Sequence, residues 1–452
     1  MTEPSRLPVR SSAAIASTSV GDRTRHRVAL RLMPFLFVLY VIAFLDRTNI
    51  STAALQMPHD LGFDDRVIGL GSGIFFFGYL LLEIPGALIV ERWSARRWIA
   101  RIMVSWGIIS VGMAFIRTPH QFYVMRFLLG AAEAGFLPGV IVYLTHWFIY
   151  EDRAKAVANL MGAIPLSFVL GSPVSGWLLG LRWMNVSGWR WLFIVEGAPA
   201  VVFGVVTWFY LTDWPHQAKW LTEEEQRAIA HALEQEKQAK KASHPYTVWQ
   251  ALRDRKVLTL TAIYFVHGMA AFSFAFWLPT ILKRLTSLPN FTVTLLVSLL
   301  YLAGFVVMQV NGWHSDRTGE RRWHTAWPIF APAVCLLLIV LFQPGIVTTV
   351  ILVGLALSTA FGFLPSFWAM PTAFLSESAA AASIGFINCI AMLSGFFGPV
   401  LMGYVSSRTS SFRQAFVALA IALFLAGLLA LTVKVRRPQE PDASLATPEP
   451  AK

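Results

Sequence analysis

Apolar runs of roughly twenty residues alternate with short polar stretches along almost the whole chain. A bilayer-spanning helix needs about 20 mostly apolar residues. Twelve runs qualify: 32–54, 67–90, 98–116, 121–145, 156–180 and 190–212, then 257–282, 291–312, 324–342, 346–372, 383–405 and 412–433. The pattern predicts an all-α membrane protein with 12 transmembrane helices in two six-helix halves. The expected organisation starts with a disordered cytoplasmic tail over 1–31 and a six-helix bundle over 32–212. A cytoplasmic linker over 213–256, a second six-helix bundle over 257–434 and a disordered cytoplasmic tail over 435–452 follow. Within the linker, LTEEEQRAIAHALEQEKQAKK has the pattern of a charged helix solvated on most faces. The first apolar run is too long, and too polar at Asp46-Arg47, for a cleaved signal peptide.

The two halves echo each other. ERWSARRW begins at Glu91 and DRTGERRW at Asp316, about half a chain apart, and in each the acid, the following Arg, the Arg-Arg pair and the Trp coincide. GSPVSGW from Gly171 pairs with GPVLMGY from Gly398 in the same way. Each echo falls at the same span of its half, which implies one duplicated six-helix unit. Such pseudo-symmetric halves bring a site to their interface near the middle of the membrane.

Composition fits. The chain is 56% hydrophobic and 14% charged, against about 25% charged in a soluble domain. A formal net charge of +12 would suggest nucleic acid in a soluble protein; beside apolar spans it is a topology signal, and no nucleic-acid partner is expected. Of 37 Lys and Arg residues, 27 fall in segments that share one side of the membrane, eight on the other, and two, Arg47 and Arg126, inside the spans. The bias puts both termini and the linker in the cytoplasm. Cys335 and Cys389, both inside apolar runs, offer neither a disulfide framework nor metal spacing. No metal or other cofactor is implied.

Four charges sit at bilayer depth: Asp46 and Arg47 in the first span, Arg126 and Glu133 in the fourth. Each costs about 2.5–3.5 kcal/mol on insertion scales, so together they cost on the order of 10 kcal/mol before pairing. Spanning a membrane requires none of them, which makes them candidates for a site that handles an ion or an anion. Arg126 and Glu133 are seven residues apart, on one helix face with Gly130 between them, leaving room for a ligand or a close helix. Asp46 and Arg47 point about 100° apart, so one can face a cavity while the other turns to a neighbouring helix. The planar fork of Arg suits a carboxylate. A carboxyl group in a partly dry cavity favours its neutral form and can carry a proton.

Several strings resemble the major facilitator superfamily. The loops over 91–97 and 312–322 are similar to its signature loop and that loop's counterpart, although Glu91 replaces the usual Asp and Ser94 the usual Gly. FLDRTNIS (44–51), RFLLGAAEAGFLPG (126–139), WRWLFIVEGAPA (189–200), FWLPTILK (276–283) and FWAMPTAFLS (367–376) resemble its anion:cation symporter branch. That branch includes permeases for hydroxyphenylacetate, tartrate and phthalate-like acids.

The resemblance implies proton-coupled symport of an organic carboxylate into the cell by alternating access. It implies a monomer in the bilayer of the cell inner membrane, whose partners are a small organic acid and protons. Arg47 would hold the substrate carboxylate and Glu133 the transported proton. Asp46 would be a second protonatable group, paired with Arg126 in one conformation. Tyr79, Trp368, Thr372 and Asn388 fall where related carriers contact substrate, and Asn49, one turn from Asp46, could orient it. Met392 stands where relatives often have Asn, which favours an acid with an aromatic or apolar body. The loop residues Glu91, Arg92, Arg96, Asp316, Arg317 and Arg321 would be gating latches on the inner side, and Glu83 and Glu196 would be structurally paired. Exchange or uniport of an anion without net proton movement, and a sensor on a transporter scaffold, are the other readings. An enzyme would need a nucleophile or metal-ligand cluster such as H-E-x-x-H, and a pump a phosphate-cradling G-x-x-x-x-G-K-S/T string; neither occurs.

Overall fold

The computed structural model describes residues 12–241, 253–374 and 377–433. The first half contains α1 (Ser12–Ala53), a short α2 (Met57–Leu61), α3 (Asp65–Arg92), α4 (Ala95–Met113), α5 (Pro119–Glu133), α6 (Phe136–Thr145), α7 (Tyr150–Met161), α8 (Ala163–Leu179) and α9 (Gly188–Tyr210). The linker helix is α10 (Glu223–Lys241). The second half contains α11 (Arg255–Thr286), α12 (Asn290–Thr318), α13 (Arg322–Phe342), α14 (Ile346–Phe361), α15 (Phe363–Phe374), α16 (Glu377–Thr409) and α17 (Arg413–Thr432). The broken pairs α5–α6, α7–α8 and α14–α15 each make one span, giving twelve. Eleven of the twelve are apolar and long enough to cross a membrane by length and composition. The twelfth is α4, 19 residues long, whose first two turns carry Arg96, Arg97 and Arg101.

Two departures from the expected layout have physical causes. Helix α1 starts at Ser12, not near residue 32. Its early turns are anchored: Thr24 and Val28 are buried, Arg25 pairs with Asp152 at 3.4 Å, and Arg27 with Glu225 of α10 at 2.9 Å. The region expected as a tail is therefore largely helix, tied to the linker and α7. The tail over 435–452 lies outside the described residues. The second departure concerns continuity. Spans four, five and ten are divided, at Ala134-Gly135, Gly162 and Gly362; Gly162 and Gly362 keep right-handed helical backbone, and of the three breaks only that in span four leaves the helical path. Backbone that leaves the helical path at membrane depth persists only where protein or a cavity satisfies it. Gly135 supplies the break in span four with φ +81°, a left-handed conformation open to glycine without a Cβ penalty.

Among the described residues the halves meet mainly along α3 with α16, α8 with α12 and α1 with α11. At the end opposite the linker they are latched. Arg284, closing α11, donates from both Nη atoms to Asp65, opening α3, at 2.8 and 2.6 Å. Ser406 of α16 also donates to Asp65 and accepts from Arg284 at 3.0 Å. Ser298 donates across the seam to the Val169 carbonyl at 2.6 Å. Stacked or edge-on rings fill the gaps, Phe168 on Tyr301 at 4.1 Å, Phe76 on Phe272 at 4.9 Å and Phe77 on Phe396 at 4.5 Å.

Candidate functional site

Asp46 and Arg47 leave α1 in different directions, and the four membrane charges do not form one symmetric cluster. The Asp46 carboxylate, 2% exposed, turns to α4 and accepts from Trp106 Nε1 at 2.7 Å, from the Ser110 hydroxyl, and from Asn49 Nδ2 at 3.1 Å. Three donors leave this buried carboxylate well satisfied without a cation. Trp106 and Ser110, four residues apart on one face of α4, are site residues that the sequence reading missed. A Trp and a Ser at helical spacing on an otherwise apolar face were the only signal.

Arg47 turns to α5. Its Nη2 and Nε both reach a single oxygen of Glu133, Oε1, at 2.6 and 2.7 Å. Its guanidinium lies in a cage of rings, 4.8 Å from the Phe44 centroid, 5.9 Å from Phe75 and 5.4 Å from Tyr79. The pair is asymmetric in access: the Arg47 side chain is 25% exposed and that of Glu133 1%. Glu133 Oε2 is buried with no hydrogen-bond partner. Glu133 is also the last residue of α5, directly before the break in span four.

Arg126 is buried and donates to backbone: Nε to the Gly71 carbonyl at 3.0 Å and Nη2 to the Ser72 carbonyl at 3.5 Å, with its guanidinium 4.7 Å from the Phe75 ring. The Asp46–Arg126 pair is not formed in this arrangement, because each partner is taken up by other groups. Gly130, between Arg126 and Glu133, admits a close helix. A Cβ there would lie 1.9 Å from the Phe75 carbonyl oxygen, and one on Gly78 would lie 2.1 Å from that of Phe127. Helices α3 and α5 thus touch backbone to backbone.

Phe75 and Tyr79 on α3 wall the Arg47 site, and Tyr79 is buried. One turn further along α3, Glu83 has a buried oxygen, Oε2, without a partner. Glu196 accepts from Ser175 Oγ at 2.7 Å, and its second oxygen is likewise buried and unpartnered. Glu83 therefore lacks the full pairing expected of it, and Glu196 has half of it.

Across the interface, Trp368 is half-buried and meets Tyr264 edge-on at 5.1 Å. Met392 packs against the core of the first half, and Asn388, four residues earlier and half-buried, shares that face of α16. The Thr372 side chain lies outside the described residues, as do those of Glu91 and Arg92. Of the remaining loop residues, Arg96 pairs with the first residue of the linker, and Asp316, Arg317 and Arg321 make their contacts within the second half. Arg96 lies 3.7 Å from Asp213, which also accepts from the Arg96 backbone N–H at 2.9 Å and from Ser94 Oγ at 2.7 Å. Asp316 pairs with Arg321 at 2.6 Å, and Arg317 sits over Trp313 at 5.5 Å. Among the described residues no group of His, Cys, Asp and Glu could hold a metal ion.

Two six-helix halves joined face to face, with ionisable side chains buried between helices of the first, define a polytopic membrane transporter. Residues 36–399 match the Major Facilitator Superfamily, and the chain belongs to that family. It is 41% identical over 430 residues to a candidate tartrate transporter of Agrobacterium vitis, covering 94% of each chain. It is 37% identical to the candidate metabolite transport protein NicT of Pseudomonas putida, covering 91% of this chain and 94% of that one. Its fold matches a bacterial homologue of the human lysosomal transporter Spinster, in an inward-facing and unoccupied conformation, with a TM-score of 0.75 at 16% identity, over 90% of this chain and 96% of that one.

Proposed function

We propose that the protein is a proton-coupled importer of a small organic carboxylate and that Arg47 and Glu133 are its coupling pair. The observation that carries this reading is the one-oxygen grip. Both Arg47 donors converge on Glu133 Oε1 while Oε2 has no partner. Protonation of Glu133 removes the charge that engages Arg47 and frees the guanidinium, the more exposed partner, for a bidentate bond to a substrate carboxylate. Release of the proton reverses the exchange. Binding of acid and proton are then linked through a single cation. Asp46, held by α4, is the second protonatable group. Tyr79, Trp368 and Asn388 shape the walls, and Thr372 belongs to the same set by its motif. The likeness to a candidate tartrate transporter makes tartrate the first acid to test, with hydroxyphenylacetate and phthalate beside it. The location is the cell inner membrane, with both termini cytoplasmic.

In liposomes with a more acidic exterior, the protein is expected to accumulate one of these three acids against its gradient. Glu133→Gln should lose that accumulation and retain counterflow exchange of the same acid. Normal accumulation by Glu133→Gln would sink the proton role.

In this orientation the Arg284–Asp65–Ser406 latch closes the outer side, and its rupture belongs to the alternating-access cycle. An exposed ion pair contributes about 0.2–1 kcal/mol, so Arg284→Gln should shift the outer-closed equilibrium by roughly 1.4- to fivefold. Ser298→Cys, placed in the seam, reports this through its labelling rate with a membrane-impermeant maleimide. Equal rates with and without Arg284→Gln would show that the ion pair does not hold the outer side shut.

A further inference from the structure

A groove that the transport reading does not use lies where the start of α1 meets the end of α9 and the approach to α10. Its volume is about 720 Å³, and its lining includes Arg23, His26, Arg27, Arg31, Tyr210 and Trp220. The acid in its wall, Asp22, pairs with Arg25 outside the groove, and Arg27 is engaged by both oxygens of Glu225 at 3.1 and 2.9 Å. Arg31 is placed differently. Its guanidinium is 5.0 Å from the Tyr210 ring and 4.9 Å from the Trp220 ring, and its Nε is buried with no hydrogen-bond partner. The Tyr210 hydroxyl donates to the Arg31 carbonyl at 3.1 Å, fixing that wall to α1. A planar cation held against aromatic faces is preset for a phosphate or carboxylate, because little side-chain freedom remains to be lost on binding.

The level of the groove decides the ligand. The apolar run of α1 begins at Leu32, so Arg31 stands at the boundary where hydrocarbon gives way to headgroups. Trp and Tyr are enriched at this level. Leu30 also lines the groove and is 64% exposed, an apolar side chain turned outward at a depth where acyl chains begin. Basic pockets beside transmembrane helices bind anionic headgroups. We infer that this groove binds the phosphate of an anionic phospholipid, with Arg31 as its main grip and Leu30 against the acyl chains. A bound lipid would bridge α1, α9 and the linker. This site is separate from the Arg47–Glu133 pair and does not depend on the coupling assigned to it.

The test follows thermal unfolding of the purified full-length protein in detergent with dioctanoyl phosphatidylglycerol, dioctanoyl phosphatidylcholine or inorganic phosphate. Phosphatidylglycerol should raise Tm by roughly 3–6 °C in a concentration-dependent way, and the other two by less than about 1 °C. R31Q should lose the phosphatidylglycerol shift. R31K keeps the charge without the planar fork and should keep part of the shift, and it also serves if R31Q folds poorly. Equal shifts with the two lipids would overturn the inference, as would a phosphate shift matching that of phosphatidylglycerol, which would mark a free-anion site. An R31Q or R31K response identical to wild type would overturn the grip assigned to Arg31.

Discussion

Arg47→Gln is expected to abolish accumulation of the transported acid and to destabilise the protein as well, and the two losses can be separated. Removing one partner of a buried ion pair costs about 3–5 kcal/mol, because the remaining charge is left uncompensated. Glu133, at 1% exposure, is such a charge, so Arg47→Gln alone should lower Tm. The double variant Arg47→Gln/Glu133→Gln removes both charges, and most of the lost stability should return. Transport should not return, since no guanidinium remains to take the carboxylate. Arg47→Lys is the finer probe. It keeps the charge and loses the fork and the stacking on Phe44, Phe75 and Tyr79, so binding of the acid should weaken by roughly ten- to a hundredfold. Substrate-induced thermal stabilisation measures that loss. A double variant that accumulates substrate would show that Arg47 serves only to neutralise Glu133.

The number and place of the spans were legible in the chain because lipid imposes one rule on all of it, about twenty apolar residues per crossing. The four membrane charges were legible for the same reason: they violate that rule at a cost the fold does not require. Partners were far less legible. The 100° between Asp46 and Arg47 says that they part, but which helix each meets depends on packing order. Trp106 and Ser110 carry no charge and look like any other residues of an amphipathic helix, so nothing marked them as donors to Asp46. The Asp65–Arg284 latch was hidden because its members lie at helix ends, where charged residues cost little and usually mean only topology. Asp213, which organises the first signature loop from more than a hundred residues away, was invisible for a related reason, since a linker acid is unremarkable until the loop folds against it. The N-terminal turns of α1 were misjudged because ion pairs from Arg25 to α7 and from Arg27 to α10 anchor them, not apolar content.

The backbone contact between α3 and α5 underlies the geometry of the Arg47 site, and it depends on a missing side chain. Any residue with a Cβ at position 130 would place that atom 1.9 Å from the Phe75 carbonyl oxygen and 2.8 Å from its carbonyl carbon. A rotamer change cannot relieve a clash with backbone, so α3 must move away. Phe75, two walls of whose packing are Arg47 and Arg126, would move with it, as would the Gly71 and Ser72 carbonyls that hold Arg126. Overpacking of this kind costs about 1–3 kcal/mol and sometimes more. Gly130→Ala is therefore expected to lower Tm by roughly 3–10 °C and Gly130→Leu to yield little monodisperse protein. Gly112→Ala is the control. A Cβ there meets only the terminal methyl of Met125, at 2.6 Å, which can swing aside, and Tm should stay within about 2 °C of wild type. Because Gly130→Ala adds no charge and removes no hydrogen bond, any change in acid affinity that accompanies its lower Tm reports displacement of the ring cage. Should Gly130→Ala melt like Gly112→Ala, α3 and α5 are not in backbone contact, and the cage around Arg47 must be set by other packing.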